Sequence, residues 1–273
     1  MDANGVAVTD LSRDDFRVYD NDVQRPIQNL WIDQDKPITL GVIIDASESQ
    51  QDQFQEHVDT ARALLERLLH PGDRFFVVSV AESVRLKVDL TGSIDGLNAL
   101  VARSGGALLG EPCPAKASKL PGVGSLSTCG SSPLWNAIYS VALIKLNPLK
   151  GNKALLILTD GFDSGSNRTW RQAADAVNAA NASFYGIQYK GESGRGYATD
   201  FYRLLLETGG TRFQAPNGDY RPIVSRIEAD LRDRYVVGFR PEQLSAKTRH
   251  EVRIEVTRPG LTVRARKTYF RDP

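Results

Sequence analysis

The stretch Ile38-Thr-Leu-Gly-Val-Ile-Ile44 runs directly into Asp45-Ala-Ser47-Glu-Ser49, and its reading decides the fold. Seven residues that are almost all apolar, too few for a helix of ordinary length, suit a strand buried on both faces of a parallel sheet. The charged residue comes at the end of the run, so Asp45 stands at the carboxyl edge of that strand. A helix is expected next, because Phe54, Val58, Ala61, Leu65 and Leu68 recur at spacings of three and four and form one apolar face. His70-Pro-Gly-Asp73 ends it.

Working outward, the same alternation of strand and helix continues. Arg74 to Val80 reads as a second strand, and Val84 to Leu90 alternates strictly, as expected of a half-exposed sheet edge. Ile94 to Arg103 reads as a short helix. Ser132-Pro133 opens another, with Ser132 as the expected N-cap and Leu134, Ile138, Val141, Ala142 and Leu146 as its stripe. Lys153 to Thr159 is a further central strand that ends at Asp160-Gly161. Trp170 to Ala180, Asp200 to Glu207 and Tyr220 to Arg232 are expected helices, with strands at Ser183 to Tyr189 and Thr211 to Ala215. The fold class is therefore α/β: a doubly wound, mostly parallel six-stranded sheet with helices on both faces.

The two ends read differently. Phe16 to Tyr19, the turn Asp20-Asn-Asp22 and Val23 to Ile32 suggest a hairpin. Tyr235 to Phe239, His250 to Thr257 and Leu261 to Tyr269 are expected strands, with Pro259-Gly260 turning between the last two. Residues 1–37 carry Asp2, Asp10, Asp14, Asp15, Asp20, Asp22, Asp33 and Asp35 against Arg13, Arg17, Arg25 and Lys36. Residues 241–273 carry Lys247, Arg249, Arg253, Arg258, Arg264, Arg266, Lys267 and Arg271 against Glu242, Glu251, Glu255 and Asp272, giving ends of about −4 and +4. The expected organisation is an N-terminal segment 1–37, a main domain 38–234 and C-terminal strands 235–273, the two flanks packing as one small β unit.

Composition narrows the function. Of 273 residues, 41% are hydrophobic, which suffices for a core, and the formal net charge of +1 argues against a nucleic-acid binder. No apolar run approaches the ~20 residues of a membrane span. The opening Met1-Asp-Ala-Asn-Gly5 is polar and no leader is evident, which leaves a cytosolic protein or a mature fragment whose leader was removed. Cys113 and Cys129 bracket a Pro-, Gly- and Ser-rich loop. In an oxidising compartment a disulfide closing it would stabilise by roughly 3 kcal/mol.

Asp45, Ser47 and Ser49 follow one central strand, Asp160 follows another, and Ser132 starts the helix before it. Ligands of open α/β sheets gather beyond the carboxyl ends of the strands, where the winding reverses. Two carboxylates and three hydroxyls in one crevice suit a hard cation, Mg²⁺ first, with Mn²⁺ or Ca²⁺ possible. The bland alternative for Asp-x-Ser-x-Ser is a turn in which Asp45 and Ser47 only cap the following helix.

These motifs resemble a von Willebrand factor A domain with its metal-ion-dependent adhesion site (MIDAS), over roughly Ile38 to Arg234. The flanks, Val8 to Tyr19 and Tyr235 to Phe239 with the closing tail, are similar to secreted bacterial proteins of the acidobacterial VWA-related family. The resemblance implies that the Ser47 and Ser49 hydroxyls bind the ion and that Asp45 and Asp160 do so directly or through water. The family's third element, a Thr in Gly-Gly-Thr-Ala-Leu, corresponds here to Ser132 in Gly130-Ser-Ser-Pro-Leu134, or to Ser131 if the register shifts. It implies a protein partner offering an Asp or Glu carboxylate to the ion. Together with the cysteine pair, it implies a secreted, periplasmic or cell-surface location.

An enzyme is the competing class, since a two-carboxylate Mg²⁺ site could serve phosphoryl transfer or hydrolysis. No Gly-x-x-x-x-Gly-Lys-Ser/Thr phosphate loop is present, and Lys190 to Gly196 reads as a plain loop. His57, His70 and His250 are not placed as a base beside Asp45, so no catalytic constellation is expected. A third class is a structural module in which an ion only rigidifies the loops.

Overall fold

The computed structural model describes residues 1–2, 6–33, 36–96, 132–189, 199–241 and 249–270. The strand β4 (Ile38–Asp45) is buried along its whole length. It lies between β5 (Arg74–Val80) and β7 (Asn152–Thr159), parallel to both. With β6 (Val84–Thr91), β8 (Ala182–Gln188) and β9 (Thr211–Gln214) they form a six-stranded sheet in the order β6-β5-β4-β7-β8-β9, in which only β6 runs antiparallel. The chain winds outward from β4 in one direction, then restarts at β7 in the other. The switch point lies between β4 and β7.

Helices cover both faces. Leu40, Val42 and Ile44 point to one side, against α1 (Phe54–Leu68) and the helix that ends the domain, Arg221–Arg232. Ile43 points to the other, against α2 (Leu134–Ser140, continued as a π turn to Leu146), α3 (Trp170–Ala179) and α4 (Thr199–Thr208); Arg221–Arg232 is α5. Gly41 occupies the second face because Phe76 already fills it: a Cβ there would lie 2.6 Å from the ring tip of Phe76. Asp73, buried at the amino edge, gathers three elements. Its carboxylate accepts from the amides of Ile38 (2.7 Å) and His70 (2.8 Å) and from Arg232 of α5 (2.5 Å).

Strands from the two ends do meet. β1 (Phe16–Asp20) pairs antiparallel with β11 (Arg249–Val256), flanked by β2 (Val23–Arg25) and β12 (Thr268–Phe270). Val23 to Ile32 is not one strand, however. Pro26 has no N–H to give a ladder, and the chain changes sheets there: β3 (Ile27–Asp33) leaves β1 and pairs with β10 (Arg234–Phe239). Arg258 reaches Asp10 at 2.9 Å and Asp15 at 3.5 Å, so opposite charges of the two ends do pair. These pairs are partly exposed and contribute little. The interior of the unit is Phe16, Val18 and Val252, with His250 Nδ1 donating to Asp20 at 2.9 Å, both side chains fully buried.

The strand expected over Leu261 to Tyr269 is only Thr268–Phe270. Residues before it dock elsewhere: Lys267 N donates to Glu207 O (3.0 Å), and Ala265 lies against Gly209. The cysteines Cys113 and Cys129, Ser131, the Lys190 to Gly196 loop and most of the helix expected over Ile94 to Arg103 fall outside the described residues. Among the described residues, no helix is long and apolar enough to cross a membrane.

Gly209 tests the docking of the tail on the main domain. Its φ is +66°, and an added Cβ would sit 2.4 Å from the backbone carbon of Ala265. Gly209→Ala therefore combines left-handed strain with a backbone clash, and is expected to lower unfolding free energy by about 2–4 kcal/mol in urea titrations. A loss below about 1 kcal/mol would show that the tail yields readily.

Candidate metal centre

The register of β4 against β7 pairs Ile44 with Leu158, so the two strands end side by side and Asp45 and Asp160 emerge together. Both are buried, at 0% and 2% exposure. Asp45 Oδ1 accepts the amide of Ser47 (3.0 Å), and its Oδ2 accepts the hydroxyl of Thr159 (2.5 Å). Ser47 Oγ lies 3.2 Å from Ser49 Oγ, and Ser49 Oγ donates to Asp160 Oδ2 at 2.9 Å. Asp160 Oδ2 also accepts from Gln50 Nε2 (2.9 Å), and Oδ1 from the amide of Phe162 (3.0 Å). Asp45, Ser47, Ser49 and Asp160 thus form one hydrogen-bonded chain across the switch point.

The turn reading of Asp-x-Ser-x-Ser holds in part. Asp45 does shape the turn through the Ser47 amide, but neither residue caps α1. A 3₁₀ stretch, Glu48–Gln53, intervenes, and Gln53 precedes the helix without a side-chain cap bond.

The expected capping by Ser132 is not found. Pro133 takes the cap position of α2, and no side chain there makes a cap bond. The first free amides of α2 are met from the loop after β7: Trp135 N by Asp163 Oδ1 (3.0 Å) and Asn136 N by Ser166 Oγ (3.1 Å). The backbone of Ser132 is tied to the same loop, its N–H donating to Ser164 Oγ and its carbonyl accepting from Ser164 N, both at 2.8 Å. Its Oγ is buried and has no hydrogen-bond partner among the described residues. Buried hydroxyls are rarely left so.

Electrostatically the centre is a pair of buried carboxylates. Burial, and then the charge of Asp160, raise the Asp45 carboxyl to about 6 against the hydrogen bonds from Ser47 and Thr159. Among the described residues, no Lys or Arg pairs with either carboxylate. The sign matters: a carboxyl whose folded pKa lies above its unfolded value is penalised when ionised, so at neutral pH the ionised Asp45 works against the fold. No group of three or more His, Cys, Asp or Glu that could hold a metal occurs among the described residues. Any ion here would take two carboxylates and complete its shell with hydroxyls and water, a donor set for hard cations.

Reading the sequence misses several contributors. Thr159 lies next to Asp160, but its hydroxyl serves Asp45 only because β4 and β7 are neighbours. Gln50 and Ser164 carry no sequence signal. His57, set aside as a base, reaches the main-chain carbonyl of Asp45 at 3.0 Å.

No family model matches the chain, and no curated protein matches it by sequence. Structural comparison finds proximal thread matrix protein 1 from the mussel byssus, with a zinc-occupied MIDAS motif, at 12% identity and a TM-score of 0.52, covering 78% of this chain and 49% of that one. A second structure of the same protein matches at 13% identity and a TM-score of 0.50, covering 78% and 50%. BatB from Bacteroides thetaiotaomicron, a conserved hypothetical protein, matches at 13% identity and a TM-score of 0.46, covering 70% and 97%. The chain spans about half the length of the byssus protein. It has the von Willebrand factor A fold.

The orphaned hydroxyl makes a distinction measurable. In EDTA, Ser132→Ala is expected to change unfolding free energy by less than about 0.5 kcal/mol, because no hydrogen bond is lost. Thr159→Val removes the donor to Asp45 and is expected to lose about 1–3 kcal/mol. Equal losses in the two variants would show that Ser132 Oγ has a structural partner.

Proposed function

We propose that this chain is a divalent-cation-dependent adhesion or protein-binding module, in which Asp45, Ser47, Ser49, Ser132 and Asp160 hold Mg²⁺, with Mn²⁺ or Ca²⁺ as substitutes. The observation that carries the reading is the pair of buried carboxylates without a basic partner among the described residues. Burying like charges together is unfavourable unless something positive joins them. Two further features support it. Ser49 and Thr159 give their protons to Asp160 and Asp45, and a hydroxyl that has donated its proton keeps lone pairs for an ion. Ser132 Oγ, buried and without a hydrogen-bond partner among the described residues, supplies the third hydroxyl.

Two carboxylates roughly neutralise a divalent ion, and an open position then accepts one carboxylate from an Asp or Glu of a partner protein. The ion would supply the charge-dense contact, while this chain fixes the ligand directions. Such a module would act outside the cytoplasm, as a secreted, periplasmic or cell-surface protein. A binding role is favoured over catalysis by the placement of the histidines. His57 faces main chain, His70 lies 3.6 Å from Glu228 at a helix end, and His250 sits in the terminal sheet.

Thermal unfolding tests the site. At a Mg²⁺ concentration about 100 times its Kd, the wild type should gain about 2.7 kcal/mol. Asp45→Asn should lose that response while its stability in EDTA stays within about 1 kcal/mol of wild type, since the like-charge contact is relieved. Partner capture from the source organism's surface extract should be abolished by EDTA and by Asp45→Asn. Absence of any shift with Mg²⁺, Mn²⁺ and Ca²⁺ would sink the site.

A further inference from the structure

We propose that His57 is a positioning residue for the cation site, acting through the main chain of Asp45; the proposal rests on the site read above. The loop that carries Ser47, Ser49 and Gln50 leaves β4 at Asp45 and enters α1 at Phe54. From the first turn of α1, His57 reaches back across the base of this loop, with Nδ1 3.0 Å from the Asp45 carbonyl oxygen. The bond therefore ties together the two ends of the segment that presents the serines.

The imidazole is itself braced. Its ring lies 4.0 Å from the ring of Tyr189, whose hydroxyl donates to Thr60 Oγ1 (2.8 Å), one turn along α1. The amide of Tyr189 donates to the carbonyl of Thr159 (2.9 Å), and the Thr159 hydroxyl donates to Asp45. The circuit joins α1 to the ends of β4, β7 and β8, and both carboxylate-bearing strand ends belong to it.

A core filler would not be built this way. His57 is fully buried, and its Nε2 has no hydrogen-bond partner among the described residues. An apolar ring of the same shape would avoid that penalty, so the bond from Nδ1 to Asp45 is what distinguishes histidine here. Because a carbonyl can only accept, Nδ1 must carry the proton. His57 is thus a fixed donor that sets the direction of the peptide from Asp45 into the serine loop.

Two measurements test this. In the wild type, ¹⁵N resonances of the His57 ring should show the neutral Nδ1–H tautomer; an Nε2–H tautomer overturns the proposal without any variant. In calorimetric titration with Mg²⁺, His57→Phe should bind about 10–100-fold more weakly, as when the support behind a metal ligand is removed. His57→Asn, whose amide can donate from the Nδ1 position, should return to within about 3-fold of wild type. A folded His57→Phe with wild-type Mg²⁺ affinity overturns the proposal, as does an Asn variant as weak as Phe. Loss of melting temperature in EDTA with Mg²⁺ affinity unchanged would mark a merely structural role. If the wild type binds no Mg²⁺, the site itself fails and the proposal with it; if only the variants behave alike, the proposal alone fails.

Discussion

Two carboxylates held side by side in the dry end of a parallel sheet set the terms for the rest of this structure. Asp45 and Asp160 are both buried, and the surrounding groups are arranged to tolerate them: two donors to Asp45, three to Asp160. All five are neutral. Neutral donors soften the charge but cannot cancel it, so burial still holds the Asp45 carboxyl at about 6. A basic side chain would have solved the problem within the chain. Its absence from the described partners is what the proposed cation would make good.

Topology explains why the problem arises at that place and no other. Only at the switch point do two neighbouring strands send their following loops to opposite faces, opening a crevice between them. β4 feeds α1 on one face, and β7 feeds α3 on the other. The passages between the main sheet and the terminal strands lie at the opposite edge: β3 ends at Asp33 just before β4, and α5 ends at Arg232 just before β10. Asp73 and the contact of Arg234 with Asn152 fasten that edge. The joining of the two units is thereby separated from the loops that carry Asp45 and Asp160.

Much of this was legible because burial writes itself into local pattern. The apolar runs before Asp45 and Asp160 announce strands buried on both faces, and a charge at the end of such a run has few places to be. Strands at both ends were visible too, but their partition was not: Pro26 lies inside a run that otherwise reads as one strand, and only the pairing shows that the chain changes sheets there. The supporting residues were illegible for a different reason. Gln50 meets Asp160 across 110 positions, and Thr159 meets Asp45 across 114. No window along the chain contains such a contact.

Ser132 shows how local rules can point the wrong way. Serine followed by proline is a strong signal for a capped helix start, and by that rule its hydroxyl would be engaged. The helix is instead capped from a distance, by Asp163 and Ser166. Pro133 has no N–H to offer, and the amide of Leu134 turns to the carbonyl of Ser132 itself at 2.8 Å. Each nearby donor is thus removed from the hydroxyl by a separate contact. The loop that follows Asp160 supplies the substitute caps and also anchors Ser132 through Ser164. In the proposed site Ser132 is therefore not an independent element: the segment that follows one carboxylate also anchors its backbone. The position of Ser132 is held through its main chain, by the two bonds to Ser164.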